Sequence, residues 1–287
     1  MAPLIRLDEP DDLREPSMVV ALDGWVDAGS AATNAAERVA EGGSTIAEFD
    51  GDVLFDYRAR RPALEIRDGR ARNLTWSKLT ITRSQFGARD ILVLTGAEPD
   101  FRWRQLSSEL VALARRLGIV QWISLGAIPA AVPHTRPVPI LGTTSKPGLL
   151  KGDVKPGPTG VLRVPAACIS ILDVAISKAG IPAVGYFAQI PHYVNGPYAT
   201  AALALLEAVN QHLGIEVPPG ALANEAMLLR QRLDTATASD DSTRQYVERL
   251  ESMTDEERLP AGDDLIADIE RFLRERGGEL GGSGRPN

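Results

Sequence analysis

Cysteine is almost absent from this sequence of 287 residues, in which Cys168 stands alone. One cysteine excludes an intrachain disulfide framework, and this is typical of a protein kept in a reducing compartment. No apolar run approaches the roughly 20 residues that a transmembrane helix needs. The first residues, MAPLIRLDEPDDL, contain four acidic side chains and lack the apolar segment of a signal peptide. The sequence therefore predicts a cytoplasmic protein with no membrane partner.

Several motifs that mark common chemistries are missing as well. There is no G-x-x-x-x-G-K-[ST] phosphate loop, no G-x-S-x-G nucleophile elbow and no G-x-G-x-x-G after a predicted strand. No cluster of Cys and His has the spacing of zinc ligands, so no metal site is predicted. The net charge of −7 disfavours nucleic acid, because phosphate repels carboxylate. The missing motifs leave any cofactor unidentified, and the negative net charge argues against a nucleic-acid partner.

What the sequence does contain is an alternation of apolar strands and amphipathic helices. Apolar runs predict strands at 18–22, 91–95, 119–125 and 183–189, and apolar residues at helical spacing predict helices between them. Short connections in the order strand, helix, strand favour parallel pairing. The predicted fold class is α/β, with three layers (α/β/α) around a mostly parallel sheet and a small helical appendage at the C-terminus.

Composition divides the chain into three segments. Residues 1–217 form the predicted α/β domain, which includes a loop rich in Pro and Gly at about 126–165. Residues 218–276 carry only helical spacing and form the predicted appendage, with its third helix around 265–273. Residues 277–287 are rich in Gly and are predicted to be disordered.

The turns after the predicted strands are the candidate functional site. Ligands of an open parallel sheet bind outside the carboxyl ends of the strands, and these turns carry acids, bases and a cation. We expect five of these side chains (Asp23, Glu98, His134, Arg136 and His192) to approach one another at that edge. The full candidate set is Asp23, Asp27, Glu98, Asp100, His134, Arg136, His192 and Tyr193.

The acidic residues and the histidines also have a purely structural interpretation. Asp27 and Asp100 precede helical runs, so both are favoured as helix caps. His134 is favoured as a residue that hydrogen-bonds loop backbone, and His192 is favoured as a structural residue. A closed, fully paired network would favour a scaffold, whereas an open polar pocket with an unpaired His or Arg would favour ligand binding.

At these same turns the sequence resembles the PAC2 family, the proteasome assembly chaperone 2 group, in its long bacterial form. Several ordered motifs in one chain carry the resemblance, which spans roughly residues 18–215. The matching stretches are ALDGWVDAG at 21–29, RRP at 60–62, LTGAEPD at 94–100 with Trp103, VPHTRP at 132–137 and IPHY at 190–193.

The resemblance implies a fold similar to that of nucleoside phosphorylases, homo-oligomers, and a relation to chaperones that assemble the proteasome α-ring. It makes proteasome subunits candidate partners and supplies no agreed activity. The leading hypothesis is a chaperone-like protein-interaction or assembly factor. The alternative is a small-molecule-binding protein or an enzyme of nucleoside phosphorylase or hydrolase type that uses the strand-exit loops. Aromatic residues in or beside these loops would suit an oligomer interface: Trp25, Phe101, Trp103 and Tyr193.

Overall fold

The structure is a computed structural model and describes residues 3–8, 10, 12–152, 154–158 and 160–255. The predicted third helix of the appendage and the Gly-rich tail lie outside the described residues. The strands are β1 (Ile5–Leu7), β2 (Ser17–Asp23), β3 (Ser44–Phe49), β4 (Ala63–Arg67), β5 (Arg70–Thr75), β6 (Leu79–Phe86), β7 (Arg89–Ala97), β8 (Gln121–Ala130), β9 (Ile140–Thr144), β10 (Lys155–Pro156) and β11 (Ala183–Pro191).

Nine of these strands form one sheet in the order β1-β3-β6-β7-β2-β8-β11-β9-β10. Its centre, β7-β2-β8-β11, is parallel throughout. Those four strands are the ones predicted from apolar runs, so the prediction of a parallel centre is confirmed. Antiparallel strands flank the centre, with β6 beside β7 and β9 beside β11. The remaining two strands, β4 and β5, form a separate antiparallel hairpin.

Helices cover both faces of the sheet, which confirms the predicted three layers. Alternate residues of β2 point to opposite faces: Val19 packs with α1 and α5, whereas Met18 and Val20 pack with α3 and α4. The helices are α1 (Ala31–Ala40), α2 (Gly51–Leu54), α3 (Trp103–Arg116), α4 (Cys168–Lys178), α5 (Ala199–Leu213), α6 (Ala221–Ser239) and α7 (Asp241–Asp255).

The segment rich in Pro and Gly is more regular than its composition predicts. Strand β8 continues through Pro129 to Ala130, and β9 returns antiparallel along β11. Pro129 is tolerated because β2 pairs with β8 only as far as Ser124, so the end of β8 has a strand neighbour on one side. The predicted loop at 126–165 therefore contains part of β8 and two further strands, β9 and β10.

The predicted C-terminal helices are present as α6 and α7. Leu222 and Ala226 of α6 are buried against the cluster that contains α1 and α5, and Val247 and Leu250 of α7 are also buried. Among the described residues, no helix combines the length and apolar character that crossing a membrane requires.

Candidate functional site

Glu98, directly after β7, connects three segments of the chain. Its Oε2 accepts the backbone N–H of Trp25 (3.2 Å), and its Oε1 accepts that of Cys168 at the start of α4 (2.6 Å). Its own N–H donates to the carbonyl of Asp23 (2.9 Å). Gly24 makes this approach possible, because a Cβ there would lie 2.4 Å from Glu98 Oε2. Both carboxylate oxygens of Glu98 therefore bind the protein's own backbone.

Asp27 acts as a helix cap, as the sequence favours. Its Oδ1 accepts the N–H groups of Ala32 (2.8 Å) and Thr33 (3.3 Å) in the first turn of α1, and its Oδ2 accepts the Thr33 hydroxyl (2.5 Å). Burial raises the pKa of the Asp27 carboxyl above its ordinary 3.8. Because each oxygen already accepts a hydrogen bond, we assign Asp27 to the folding of this loop.

Asp100 does not cap α3, contrary to the capping interpretation. The residue before α3 is Arg102 in the left-handed conformation (φ 63°), and it makes no side-chain cap. Asp100 instead accepts the N–H of Asp56 (2.9 Å) and lies 3.6 Å from Nε of Arg60. Nη1 of Arg60 is also 4.0 Å from Oδ2 of Asp23. Arg60 thus lies between two candidate acids from the exits of β2 and β7.

His134 is buried beneath α6 and pairs with Tyr193. The Tyr193 hydroxyl accepts the backbone N–H of His134 (2.8 Å) and lies 2.7 Å from Nδ1 of its ring. The hydroxyl has one hydrogen and a second lone pair, so it can pair with Nδ1 in either tautomer of the ring. Nε2 faces Oδ1 of Asp234 on α6 at 3.3 Å but makes no hydrogen bond with it.

Burial, with the nearby Arg230 guanidinium, lowers the pKa of His134 below its ordinary 6.5. Arg230 of α6 donates to the carbonyl of His134 (3.0 Å) and to Asp234 (2.8 Å). Burial also raises the pKa of the Tyr193 phenol. The pair is therefore neutral at physiological pH, with the imidazole closed off from solvent.

Arg136 connects the loop after β8 to α7. Its Nε and Nη2 donate to the two carboxylate oxygens of Asp255 (2.8 and 2.6 Å), and its Nη1 lies 3.2 Å from Oε1 of Glu251. The adjacent Thr135 hydroxyl donates to the same Glu251 oxygen. These acids raise the pKa of Arg136 still further, so the guanidinium stays charged.

His192, at the exit of β11, also contacts α7. Its Nδ1 lies 3.0 Å from the carbonyl of Ala130, and its Nε2 lies 3.0 Å from the hydroxyl of Tyr246 on α7. The rings of His192, Tyr193 and Tyr246 meet edge to face, with centroids 5.7 to 6.3 Å apart. Both predicted histidines therefore contact the C-terminal helices.

The eight candidates form two groups at one edge of the sheet. The acidic group (Asp23, Asp27, Glu98 and Asp100) lies at the exits of β2 and β7, and the histidine group (His134, Arg136, His192 and Tyr193) lies at the exits of β8 and β11. Because these four strands are parallel, both groups share the carboxyl edge. Ala127 N–H donates to the carbonyl of Val26 (2.7 Å) and so connects the exit of β2 with β8. Side-chain convergence of the two groups remains a prediction.

Neither group has the arrangement of a metal centre. Within the described ranges, no set of three or more His, Cys, Asp or Glu residues is arranged to bind a metal ion. A surface groove of about 510 Å³ is lined by residues 41–44 and 83–86, at the amino end of β7. It therefore lies at the opposite edge from the candidates.

Sequence reasoning missed the partners that the C-terminal helices supply. Arg230 and Asp234 are one helical turn apart on α6, and Glu251 and Asp255 have the same spacing on α7. That spacing places each pair on one helix face, but it does not indicate which distant loop the face contacts.

Two buried polar networks were missed as well. Asp173 of α4 accepts hydrogen bonds from the Trp122 indole (2.9 Å) and the Ser124 hydroxyl, and burial raises its pKa to about 6. His212 of α5 lies 2.7 Å from the Tyr186 hydroxyl and 3.1 Å from Oε1 of Gln121, and burial lowers its pKa to about 4. Both networks lie in the helix–sheet layers, away from the strand-exit loops.

Fold and site together define a three-layer α/β protein whose strand-exit loops bind one another and the C-terminal helices. The family model described as the PAC2 family matches residues 21–237. The chain belongs to the PAC2 family, as the motifs in its turns indicate. No curated protein matches the chain in sequence.

Solved structures of similar proteins agree with this assignment. A PAC2 family protein from Streptomyces avermitilis is 34% identical, with a TM-score of 0.70, over 81% of this chain and 99% of that chain. A proteasome-assembly chaperone homologue from Mycobacterium tuberculosis is 32% identical, with a TM-score of 0.72, over 80% and 99%. A Corynebacterium glutamicum protein of unknown function is 28% identical, with a TM-score of 0.81, over 88% and 98%.

Proposed function

We propose that this chain is a chaperone-like assembly factor that acts on proteasome subunits in the cytoplasm and works as a homo-oligomer. The observation that carries the proposal is its 32% identity, over 99% of that protein's length, with the M. tuberculosis proteasome-assembly chaperone homologue. The match extends over nearly the whole of that protein and is not limited to one segment of it.

The contacts of the candidate residues agree with this proposal. The carboxylates of Glu98 and Asp27 accept backbone N–H groups, the His134 ring is closed under α6, and Arg136 is paired with α7. Such a network builds a rigid surface and leaves little chemistry for a substrate. No observation in the described residues favours the phosphorylase-type or hydrolase-type enzyme of the alternative hypothesis.

The test is reconstitution with purified components. The chain is mixed with proteasome α and β subunits from the same organism, and native mass spectrometry follows complexes and assembly intermediates over time. We expect a complex with α subunits and a changed rate of particle formation, compared with an inert protein of equal mass. If no complex forms at tens of micromolar and the rate is unchanged, the proposed function is wrong.

A further inference from the structure

The hairpin of β4 and β5 stands apart from the nine-stranded sheet. Every residue of both strands is exposed, and the hairpin pairs with no strand of the nine-stranded sheet. Leu64 pairs with Leu74, and a bulge then shifts the register so that Ile66 pairs with Ala71. A two-stranded hairpin without a packing partner is marginally stable in water, so this one needs a further surface.

The two faces of the hairpin differ in polarity. On one face, the Glu65 carboxylate accepts hydrogen bonds from Arg67 (2.7 Å) and Asn73 (3.0 Å). The other face carries apolar side chains that are half exposed or more: Leu64 at 50%, Ile66 at 64% and Leu74 at 52%. Alternation of this kind is typical of strands with one buried face. Here the apolar face is turned to solvent within the monomer.

The base of the hairpin adjoins an acidic surface. Trp76 packs edge to face on Tyr57 (4.7 Å between centroids), and the Tyr57 hydroxyl donates to Asp52 (3.0 Å). Arg60, just before β4, lies 4.0 Å from Asp23. The acidic rim, as we name it, consists of the exposed residues Asp23, Asp50 and Asp52.

The tip of the hairpin is rich in arginine. Arg67, Arg70 and Arg72 are exposed there beside Asp68, with Arg67 paired to Glu65, in a chain whose net charge is −7. We propose that the apolar face of the hairpin packs against a second copy of this chain, with the arginine tip of one copy against the acidic rim of the next. This inference rests on the homo-oligomer of the proposed function and adds to it the surface at which the copies meet.

The charges and the exposed apolar area both favour a second copy of this chain as the partner that covers the hairpin. Each copy carries a basic tip and an acidic rim on either side of apolar residues, so copies complement one another without a further partner. Trp25 (69% exposed) and Phe101 (50% exposed) are further exposed aromatic residues, on the loops after β2 and β7. With Trp76 and the three aliphatic residues they offer on the order of 600 Å² per copy. A stable interface needs about 800 Å² per partner, and arginine stems and the rim can supply the remainder.

Charge reversal tests this pairing of tip and rim. One variant is Arg70→Glu with Arg72→Glu, and the other is Asp23→Arg with Asp52→Arg. Copies of one variant should repel one another, because the tip and the rim of that variant have the same sign. In a mixture, each contact between one variant and the other again joins a tip and a rim of opposite sign. Sedimentation velocity at about 10 µM measures the mass of each variant, of the mixture and of the wild type, whose monomer is 30.8 kDa. Circular dichroism confirms that each variant is folded.

We expect the wild type to be oligomeric, each of the two charge-reversal variants to be monomeric, and the mixture of the two variants to be oligomeric. Leu64→Ser with Ile66→Ser should weaken self-association by roughly 100-fold, whereas Val174→Ser, at a 53% exposed valine of α4, should not change it. A monomeric wild type, or variants as oligomeric as the wild type, would overturn the proposed surface. Binding of monomeric variants to proteasome α subunits is scored separately, so failure of this surface is distinguished from failure of the assembly function.

Discussion

Arg136 donates hydrogen bonds to both carboxylate oxygens of Asp255, through Nε at 2.8 Å and Nη2 at 2.6 Å. The planar guanidinium fits the carboxylate in this two-point geometry, which fixes the orientation of both side chains. The contact joins the loop after β8 to the final described turn of α7. A residue predicted as a ligand anchor therefore binds an element of its own chain.

Replacing Arg136 by Gln should loosen α7. The variant loses the ion pairs with Asp255 and Glu251, so local opening of the helix becomes more frequent. Hydrogen exchange followed by mass spectrometry should show several-fold faster exchange of α7 amides, with little change in β2 or β8. Raising the salt concentration should have the same effect on the wild type, because exposed ion pairs are screened.

Arg249→Gln is the matched control for this prediction, since Arg249 is an exposed arginine on α7 itself. It should leave the exchange of α7 unchanged. Equal protection of α7 in the Arg136→Gln variant and the wild type would contradict the assigned role of the ion pair.

Tyr193→Phe should destabilise the fold more than Tyr246→Phe does. The Tyr193 hydroxyl accepts the backbone N–H of buried His134 and pairs with Nδ1 of its ring, so its removal leaves both groups without that partner. The expected loss in the free energy of unfolding is about 1–3 kcal/mol. The Tyr246 hydroxyl pairs with His192 at an exposed position, and its removal should cost less than about 0.5 kcal/mol. Urea unfolding measures both, and equal losses would argue against the buried pair.

Periodicity and turn chemistry were sufficient to predict the centre of the fold. Four apolar runs became β2, β7, β8 and β11, and the connections between them gave parallel pairing. Asp27 was assigned correctly as a cap because that interaction is local, reaching only five and six residues ahead. Asp100 was not, because its partners Asp56 and Arg60 are some 40 residues away in sequence.

The candidate site was predictable in composition but not in its contacts. Topology alone placed His134 and His192 at the carboxyl edge, since the strands before them are parallel. Their partners Asp234 and Tyr246 lie on helices whose docking position depends on packing of the whole chain. The strands within the segment at 126–165 were not predicted, because Pro and Gly lower strand propensity and the register of β9 on β11 is set by a distant strand.

Glu98→Gln should weaken the junction of three segments. The carboxylate accepts the N–H groups of Trp25 and Cys168, whereas the amide of Gln offers one oxygen and turns an NH₂ group toward the second donor. The expected loss in unfolding free energy is about 1–3 kcal/mol, with faster amide exchange at Trp25 and Cys168. Glu207→Gln, at an exposed position of α5, should be nearly neutral. Unchanged exchange at both amides would show that Glu98 is not the acceptor that orders them.

Asp173→Asn should stabilise the protein at neutral pH and lose this advantage in acid. In the folded protein the pKa of Asp173 is raised by burial to about 6 from an ordinary 3.8. Between these values the folded chain retains a proton that the unfolded chain releases, so the wild type loses stability as pH rises through this window. Above about pH 6 the full penalty of a buried carboxylate remains. Asn keeps an acceptor for the Trp122 indole and the Ser124 hydroxyl without that penalty.

The expected gain is about 1–3 kcal/mol in unfolding free energy at pH 7, falling to near zero below about pH 4. The difference between variant and wild type isolates Asp173 from His212, whose lowered pKa of about 4 changes stability in the opposite direction over the same range. His212 contacts Gln121 and Asp173 contacts Trp122, and consecutive strand residues point to opposite faces of the sheet, so the two networks are separate. Urea unfolding from pH 4 to 8 measures the effect, with Asp241→Asn at an exposed helix end as the control. A gain that does not vary with pH would mean that packing, and not ionisation of Asp173, distinguishes the two proteins.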